Sequence, residues 1–241
     1  MAITRTLPTI AIDKRRPAGS MREAAVGAAR VAAHALGVRK PRVLRGERLE
    51  EPLLALIVRT ARLELRPHRM SDAADWYAIQ SNPAVLRYLA WPMRNEAESR
   101  RHLRDRVRHS RLEQADDFLA LGIEKDGILI GDVSLHLRDV ASEARAAEIG
   151  WVLNPDFGGK GYATEAADAL LRLAFGRLGA RFVTAEIEPG NERSIALAKR
   201  LGFVEGGGKT MMITPELCRA ARQRRINSIP LEVINDGESV A

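Results

Sequence analysis

From residue 154 to residue 166 the sequence reads NPDFGGKGYATEA, and Gly158-Gly159-Lys160-Gly161 within it has the composition of an anion-binding turn. Glycine admits positive φ and lets a ligand lie close against the backbone. Successive amide N–H groups then form a concavity, and a helix that starts directly afterwards adds the positive end of its dipole. Phosphate or pyrophosphate is the matching ligand, with Lys160 as an added cation. The same residues also make a tight strand-to-helix connection that binds nothing, and the turn alone leaves both readings open. It lacks the Lys-Ser/Thr ending of a Walker A loop and the spacing of a G-x-G-x-x-G fingerprint.

A turn of this kind needs a strand before it and a helix behind it. AAEIGWVL (146–153) alternates as a strand and ends at Asn154-Pro155, while Thr164 to Leu178 places Ala167, Leu170, Leu171, Ala174 and Phe175 at helical core spacing, with Gly179 as a stop. Upstream, ALIVRTARLELR (55–66) reads as one strand ended by Pro67. Ser71-Asp72 caps a helix carrying Trp76 and Ile79 inward, closed by Asn82-Pro83. A second helix, roughly 95–112, has a thin apolar stripe of Ala97, Leu103 and Val107 and six arginines at positions 100, 101, 104, 106, 108 and 111. FLALGIE (118–124) and ILIGDVSLHL (128–137) flank Lys125-Asp126-Gly127, a hairpin signal. After the turn and its helix come a strand over 181–188, a short helix from Glu192 to Leu201 stopped by Gly202, a strand near 209–214, a helix after Pro215 and a strand over 229–234. Helices and strands alternating around one mixed sheet make an α/β or α+β domain.

At 241 residues with 46% hydrophobic residues the chain can bury a real core. No run of about 18 apolar residues is present, which excludes a membrane span. No apolar stretch followed by a cleavage signal marks the start, so the expected compartment is the cytoplasm. The single cysteine, Cys218, rules out an intrachain disulfide and a cysteine-built zinc site, and no metal is expected. The net charge of +7 is unevenly placed: residues 1–50 carry 11 Lys/Arg against 4 Asp/Glu, which leaves 27 of each over 51–241. The expected division is therefore a basic extension over 1–50, flexible or partly helical with one alanine-rich helix from Met21 to Leu36, and a neutral folded body over 51–241. The tail is a candidate for weak nucleic-acid contact.

Three stretches, TARLELRP (60–67), EIGWVLNPDFGGKGYATEA (148–166) and NERSIALAKRLGF (191–203), resemble the GNAT acyltransferase superfamily, and in particular its RimJ/RimL-type branch of ribosomal-protein-alanine N-acetyltransferases. The resemblance spans about residues 55–205. It implies a mixed, mostly antiparallel central sheet flanked by helices, with a splayed strand pair that holds acyl-CoA. The family's pyrophosphate loop falls on Gly158, Gly159, Lys160, Gly161, Tyr162 and Ala163. Gly158 stands where many members carry Gln or Arg, a departure that costs one side-chain contact while leaving the backbone amides. Trp151, Val152 and Leu153 would pair with the pantetheine arm as an added strand, and Asn191 would face the cofactor near its reactive end.

The resemblance also assigns the chemistry. Glu148 matches the strand carboxylate that acts as general base in several members, with Glu186 and Glu188 as runners-up. The family's general-acid tyrosine falls on Ala198, which cannot serve, so Ser194 is the replacement. Plain structural roles remain open for both: a solvent-facing strand glutamate, and a serine bonded to its own helix. His136 reads as a packed strand histidine. The implied reaction is direct attack of a primary amine on acetyl-CoA. The acceptor would be a protein N-terminal α-amine or a small molecule, and the enzyme a monomer or homodimer. At pH 7 a lysine amine must lose its proton at about 4.6 kcal/mol and an α-amine at about 1–1.4 kcal/mol, so an uncertain base fits the α-amine better. Two alternatives remain: a succinyl or other acyl group, paired with the arginines of 100–111, and a non-catalytic CoA-binding or nucleic-acid-associated module.

Overall fold

The computed structural model describes residues 45–227. The helix expected over Met21–Leu36, the tail expected to touch nucleic acid and the strand expected over 229–234 lie outside those residues. The first described strand, β1 (Arg48–Leu54), spans the boundary expected at residue 50: Leu49 and Leu53 belong to the core, and Arg45 pairs with Asp117 at 2.8 Å. β1 pairs antiparallel with β4 (Arg111–Gln114) in a small sheet of its own.

The second sheet holds eight of the described strands, in the order β2-β3-β5-β6-β7-β8-β10-β9. These are β2 (Val58–Arg59), β3 (Glu64–Pro67), β5 (Phe118–Lys125), β6 (Ile128–Asp139), β7 (Ala146–Leu153), β8 (Phe182–Glu186), β9 (Val204–Gly207) and β10 (Thr210–Ile213). All neighbours are antiparallel except β7 and β8. The helices are α1 (Ala73–Gln80), α2 (Pro83–Leu86), α3 (Glu96–Arg108), α4 (Tyr162–Gly176), α5 (Glu192–Leu201) and α6 (Pro215–Asn227). This is the expected mixed, mostly antiparallel architecture.

Local chemistry explains the elements. Asp126 and Gly127 both take positive φ, 51° and 83°, the two-residue turn whose twist suits a hairpin. The single strand expected over 55–66 is instead the β2–β3 hairpin, because the Thr60 backbone N–H donates to the Leu63 carbonyl while the Thr60 hydroxyl accepts from the Leu63 N–H and donates to its C=O. Asp72 does not cap α1 with its side chain; its carboxylate takes two N–H groups of Arg66 and the backbone N–H of Arg69. Asn95 and Glu98 form a reciprocal capping box that starts α3, a device contributing about 1 kcal/mol, and the helix ends at Arg108 rather than 112. β9 pairs with β10, a hairpin the sequence did not announce.

Alternation along β7 assigns the two faces of the sheet. Ala147 and Ile149 join the main core with Ala167, Leu170 and Ala174 of α4, whereas Val152 joins Trp76, Ile79 and Leu103 under α1 and α3. The inner face of α3 is not the predicted stripe: Ser99, Leu103 and Arg106 are buried and Ala97 is exposed. Arg106 lies 3.3 Å from Asp132 and within 5.8 Å of the ring centres of Trp76, Trp91 and Phe118, while the other five arginines of 100–111 are exposed.

His102 stacks on Trp76 with ring centres 5.6 Å apart, and burial, then Arg106 and Arg94, push its pKa down to about 3. Asp132 acts weakly the other way, and His68 adds to the depression. The folded state therefore prefers neutral imidazole. Stability from this group is whole above the unfolded value of about 6.5 and falls as pH drops below it, by up to roughly 1.4 kcal/mol per pH unit until the folded group protonates. His102→Phe keeps a stacked ring and removes the titration. Urea unfolding at pH 6, 5 and 4 should show a shallower loss of stability for the variant, by close to one proton; identical slopes would contradict this assignment.

Candidate active site

β7 and β8 run parallel for three rungs only, Ala146↔Phe182, Ala147↔Val183 and Glu148↔Thr184. Beyond Glu148, β7 stays with β6 as far as Leu153↔Gly131, while β8 follows β10 through Glu186↔Thr210. The two strands separate while each keeps its antiparallel partner on its far side. The V between them opens into a cleft of about 1150 Å³, lined on one arm by Trp151, Val152 and Leu153 and on the other by Gly190, Asn191 and Ser194.

The glycine turn forms the wide end of the cleft. Pro155 to Phe157 make one 3-10 turn, and Gly158 follows at φ −66°, its N–H donating to the Pro155 carbonyl at 2.8 Å. A Cβ on Gly158 would lie 2.9 Å from that carbonyl oxygen, so close approach, and not positive φ, demands glycine there. Gly159 and Gly161 do take positive φ, 78° and 80°. Gly161 precedes α4, which has no side-chain cap, so the helix presents its first N–H groups to the cleft. Since Gly158 spends its own N–H locally, the amides left for an anion begin at Gly159. Tyr162 and Ala163 line the cleft, although the Tyr162 ring is largely buried, with the Arg62 guanidinium 4.7 Å and the Lys125 ammonium 5.8 Å from its centre.

Lys160 is exposed, lies outside the cleft lining, and holds its ammonium 5.9 Å from the ring centre of Phe157. Arg87, Arg193 and Arg200 line the cleft instead, and Arg200 reaches Thr164 at the start of α4 at 3.2 Å. Sequence reasoning missed them; a cation directly before the Leu201-Gly202-Phe203 end of α5 was the available signal for Arg200.

A second arrangement it missed holds the turn from behind. The Glu165 carboxylate accepts from the Thr60 hydroxyl at 2.7 Å and from the backbone N–H and Nε–H of Arg62 at 2.9 and 2.7 Å. Burial alone would raise this carboxyl, but those bonds outweigh it and hold the pKa below the ordinary value. Arg62 also donates to the Lys160 carbonyl at 2.9 Å.

At the narrow end, Glu148 occupies the last rung of the β7–β8 pair. It is half-buried and does not line the cleft itself; Arg138 gives Oε2 both Nε–H and a terminal N–H, at 3.0 and 2.9 Å. Arg138 is in turn 3.8 Å from Asp116. Opposite Glu148 on β6, His136 bonds Ser134 at 3.1 Å and stacks on Phe118, the packed histidine expected. Glu186 and Glu188 are exposed, partnered by the Thr210 hydroxyl and by Lys209.

Ser194 does not bond its own helix through its hydroxyl. The oxygen accepts the indole N–H of Trp151 at 3.2 Å, a bridge between the two arms of the V. Its backbone N–H goes to the Asn191 side chain, which caps α5. Ala198 is wholly buried. Cys218 is buried in the main core, and burial pushes its thiol pKa up, which fits an inert residue. Among the described residues no helix is long and apolar enough to cross a membrane.

Residues 62–204 match the acetyltransferase (GNAT) domain family. The protein p20 of Bacillus licheniformis, an uncharacterized N-acetyltransferase, is 32% identical over 149 residues, which span 61% of this chain and 82% of that one. A GNAT-family acetyltransferase from Bacillus anthracis shares the fold with a TM-score of 0.57 at 23% identity, over 67% of this chain and 99% of its own. RimL, a ribosomal L7/L12 alpha-N-protein acetyltransferase solved in complex with coenzyme A, shares it with a TM-score of 0.53 at 22% identity, over 66% and 97%. At those identities the structural likeness establishes the fold alone.

Proposed function

The chain belongs to the GNAT acetyltransferase family, and from that premise we propose that it moves an acetyl group from acetyl-CoA to a primary amine, best a weakly basic α-amine. The observation that carries this reading is the V between β7 and β8, with uncapped helix amides at its wide end and a carboxylate on its last rung. The pyrophosphate would rest on the amides from Gly159 onward, with Arg193 and Arg200 as added cations. The pantetheine arm would run along Trp151–Leu153, where β7 has no partner strand on that side. That arm delivers the thioester to the vertex.

There the amine nitrogen attacks the thioester carbon, a C–N bond forms and the C–S bond breaks. Backbone amides of 151–153 stabilise the oxyanion. Arg138 binds only Oε2 of Glu148, so Oε1 keeps lone pairs unclaimed among the described residues and takes the amine's proton, directly or through water. The Trp151 indole donates to the Ser194 oxygen, which leaves the hydroxyl hydrogen to hydrogen-bond the departing thiolate, and that sulfur takes its proton from solvent. A thiol with a pKa near 8.5–9 needs only weak acid help. A carboxylate base with no tyrosine acid beside it suits an α-amine, as the resemblance to the RimJ/RimL branch also does.

Calorimetric titration tests the cofactor half of this reading. Acetyl-CoA and CoA should bind with similar affinity and ATP at least tenfold more weakly, because ATP has phosphates for the turn but no arm for the strand edge. ATP binding as tightly as acetyl-CoA would contradict it.

A further inference from the structure

We propose that Arg62 is a positioning residue for acetyl-CoA, holding the glycine turn in its pyrophosphate-binding shape from outside the cleft. The inference rests on the transferase reading and adds to it a residue that lines no part of the cleft. Arg62 lies in the bend between β2 and β3, 98 residues before the turn it touches. Its NH1 group donates to the Lys160 carbonyl at 2.9 Å. A trans peptide points its C=O and the following N–H in opposite directions. Tying the Lys160 oxygen outward to Arg62 therefore aims the Gly161 N–H the other way, towards the cleft that Gly161 lines.

That peptide runs from Lys160 into Gly161, which takes positive φ, and a peptide leading into glycine flips at little steric cost. The turn does not contain the bond that fixes it; Arg62 supplies it. The guanidinium is itself fixed, by Nε and NH2 each 2.7 Å from Oε2 of Glu165. Oε1 of that carboxylate takes the Arg62 backbone N–H and the Thr60 hydroxyl. Glu165 stands in the first turn of α4, so the clamp joins the turn and the helix that bind the anion. Packing agrees: a Cβ on Gly161 would lie 3.4 Å from Arg62 NH2.

Arg62→Ala should weaken acetyl-CoA and CoA alike by about tenfold or more, raise KM for acetyl-CoA in step, and leave kcat within about twofold. Arg62→Lys should fall between, since one ammonium cannot span Glu165 and the Lys160 carbonyl as the fork does. Glu165→Gln should also weaken binding, and it carries the test with Arg62→Lys if Arg62→Ala does not fold. The deciding substrate is S-acetyl-pantetheine, which has the thioester arm and no pyrophosphate: its kcat/KM should be the same in wild type and variants. Unchanged acetyl-CoA affinity in folded variants would overturn the proposal. So would an equal loss with S-acetyl-pantetheine, which would make Arg62 a general support of the fold. Wild-type protein that binds neither acetyl-CoA nor CoA would instead sink the transferase reading, and this proposal with it.

Discussion

Glu148→Gln should lower kcat/KM by about 10²–10⁴, the range for removing a general base. Gln keeps the shape and a hydrogen-bond acceptor for Arg138 but cannot take the amine's proton at neutral pH. The deficit should narrow as pH rises towards the amine's own pKa, because more acceptor then arrives already neutral. Acetyl-CoA affinity should barely move, since Glu148 stands on the last rung of the β7–β8 pair and not among the residues lining the cleft. Ser194→Ala should cost less and show no such narrowing, because a thiolate leaves almost unaided. Arg138→Ala separates proton transfer from orientation: it should lower kcat by freeing the carboxylate to rotate, while Arg138→Lys restores part of the rate. The measurement is a pH–rate profile of each variant over pH 6–9 with one acceptor. A Glu148→Gln enzyme within threefold of wild type across that range would pass the base to another group.

Gly161→Val should weaken acetyl-CoA by at least tenfold. At φ +80° a β-branched residue is strained, by roughly 1–3 kcal/mol, and the turn escapes by rotating the peptides that aim its amides. The new side chain would also press on the Arg62 guanidinium. α4 carries most of its core residues, Ala166 to Ala174, further along the helix, so the fold should survive and Tm should change little compared with the loss in affinity. Calorimetry with acetyl-CoA reads the effect; unchanged affinity would remove the turn from the site.

The parts of this site that one stretch of chain specifies were legible in the sequence. The Asp126-Gly127 hairpin, the 146–153 strand, the glycine turn and the two helices α4 and α5 beside the cleft follow from local rules of φ and periodicity. What joins them was not. Arg62 and Glu165 are 103 residues apart, and Trp151 and Ser194 are 43 apart, so no spacing rule pairs them. Lys160 drew notice for its side chain, next in sequence to the glycines, while its carbonyl, tied to Arg62 from 98 residues away, could not be read there. Arg106 looked no different from the other five arginines of 100–111; Asp132 and three aromatic rings bury it, a compensation that composition cannot show. Residues 55–66 alternate well enough for one strand, and only the Thr60–Leu63 exchange of hydrogen bonds divides them into two.

The most direct test of the account is acetyl transfer itself. Full-length protein, acetyl-CoA and a panel of amines would be followed by thiol release and by the mass of the acceptor. The panel holds peptides with free α-amino termini, the same peptides blocked at the terminus but bearing lysine, and spermidine. The account predicts release of CoA thiol matched one-for-one by acetylated amine, with the free α-amino peptides turning over faster at pH 7 than the blocked lysine peptides. No acetylated amine with any acceptor, from protein that binds acetyl-CoA, would contradict the transferase reading and leave a coenzyme A-binding domain without this chemistry.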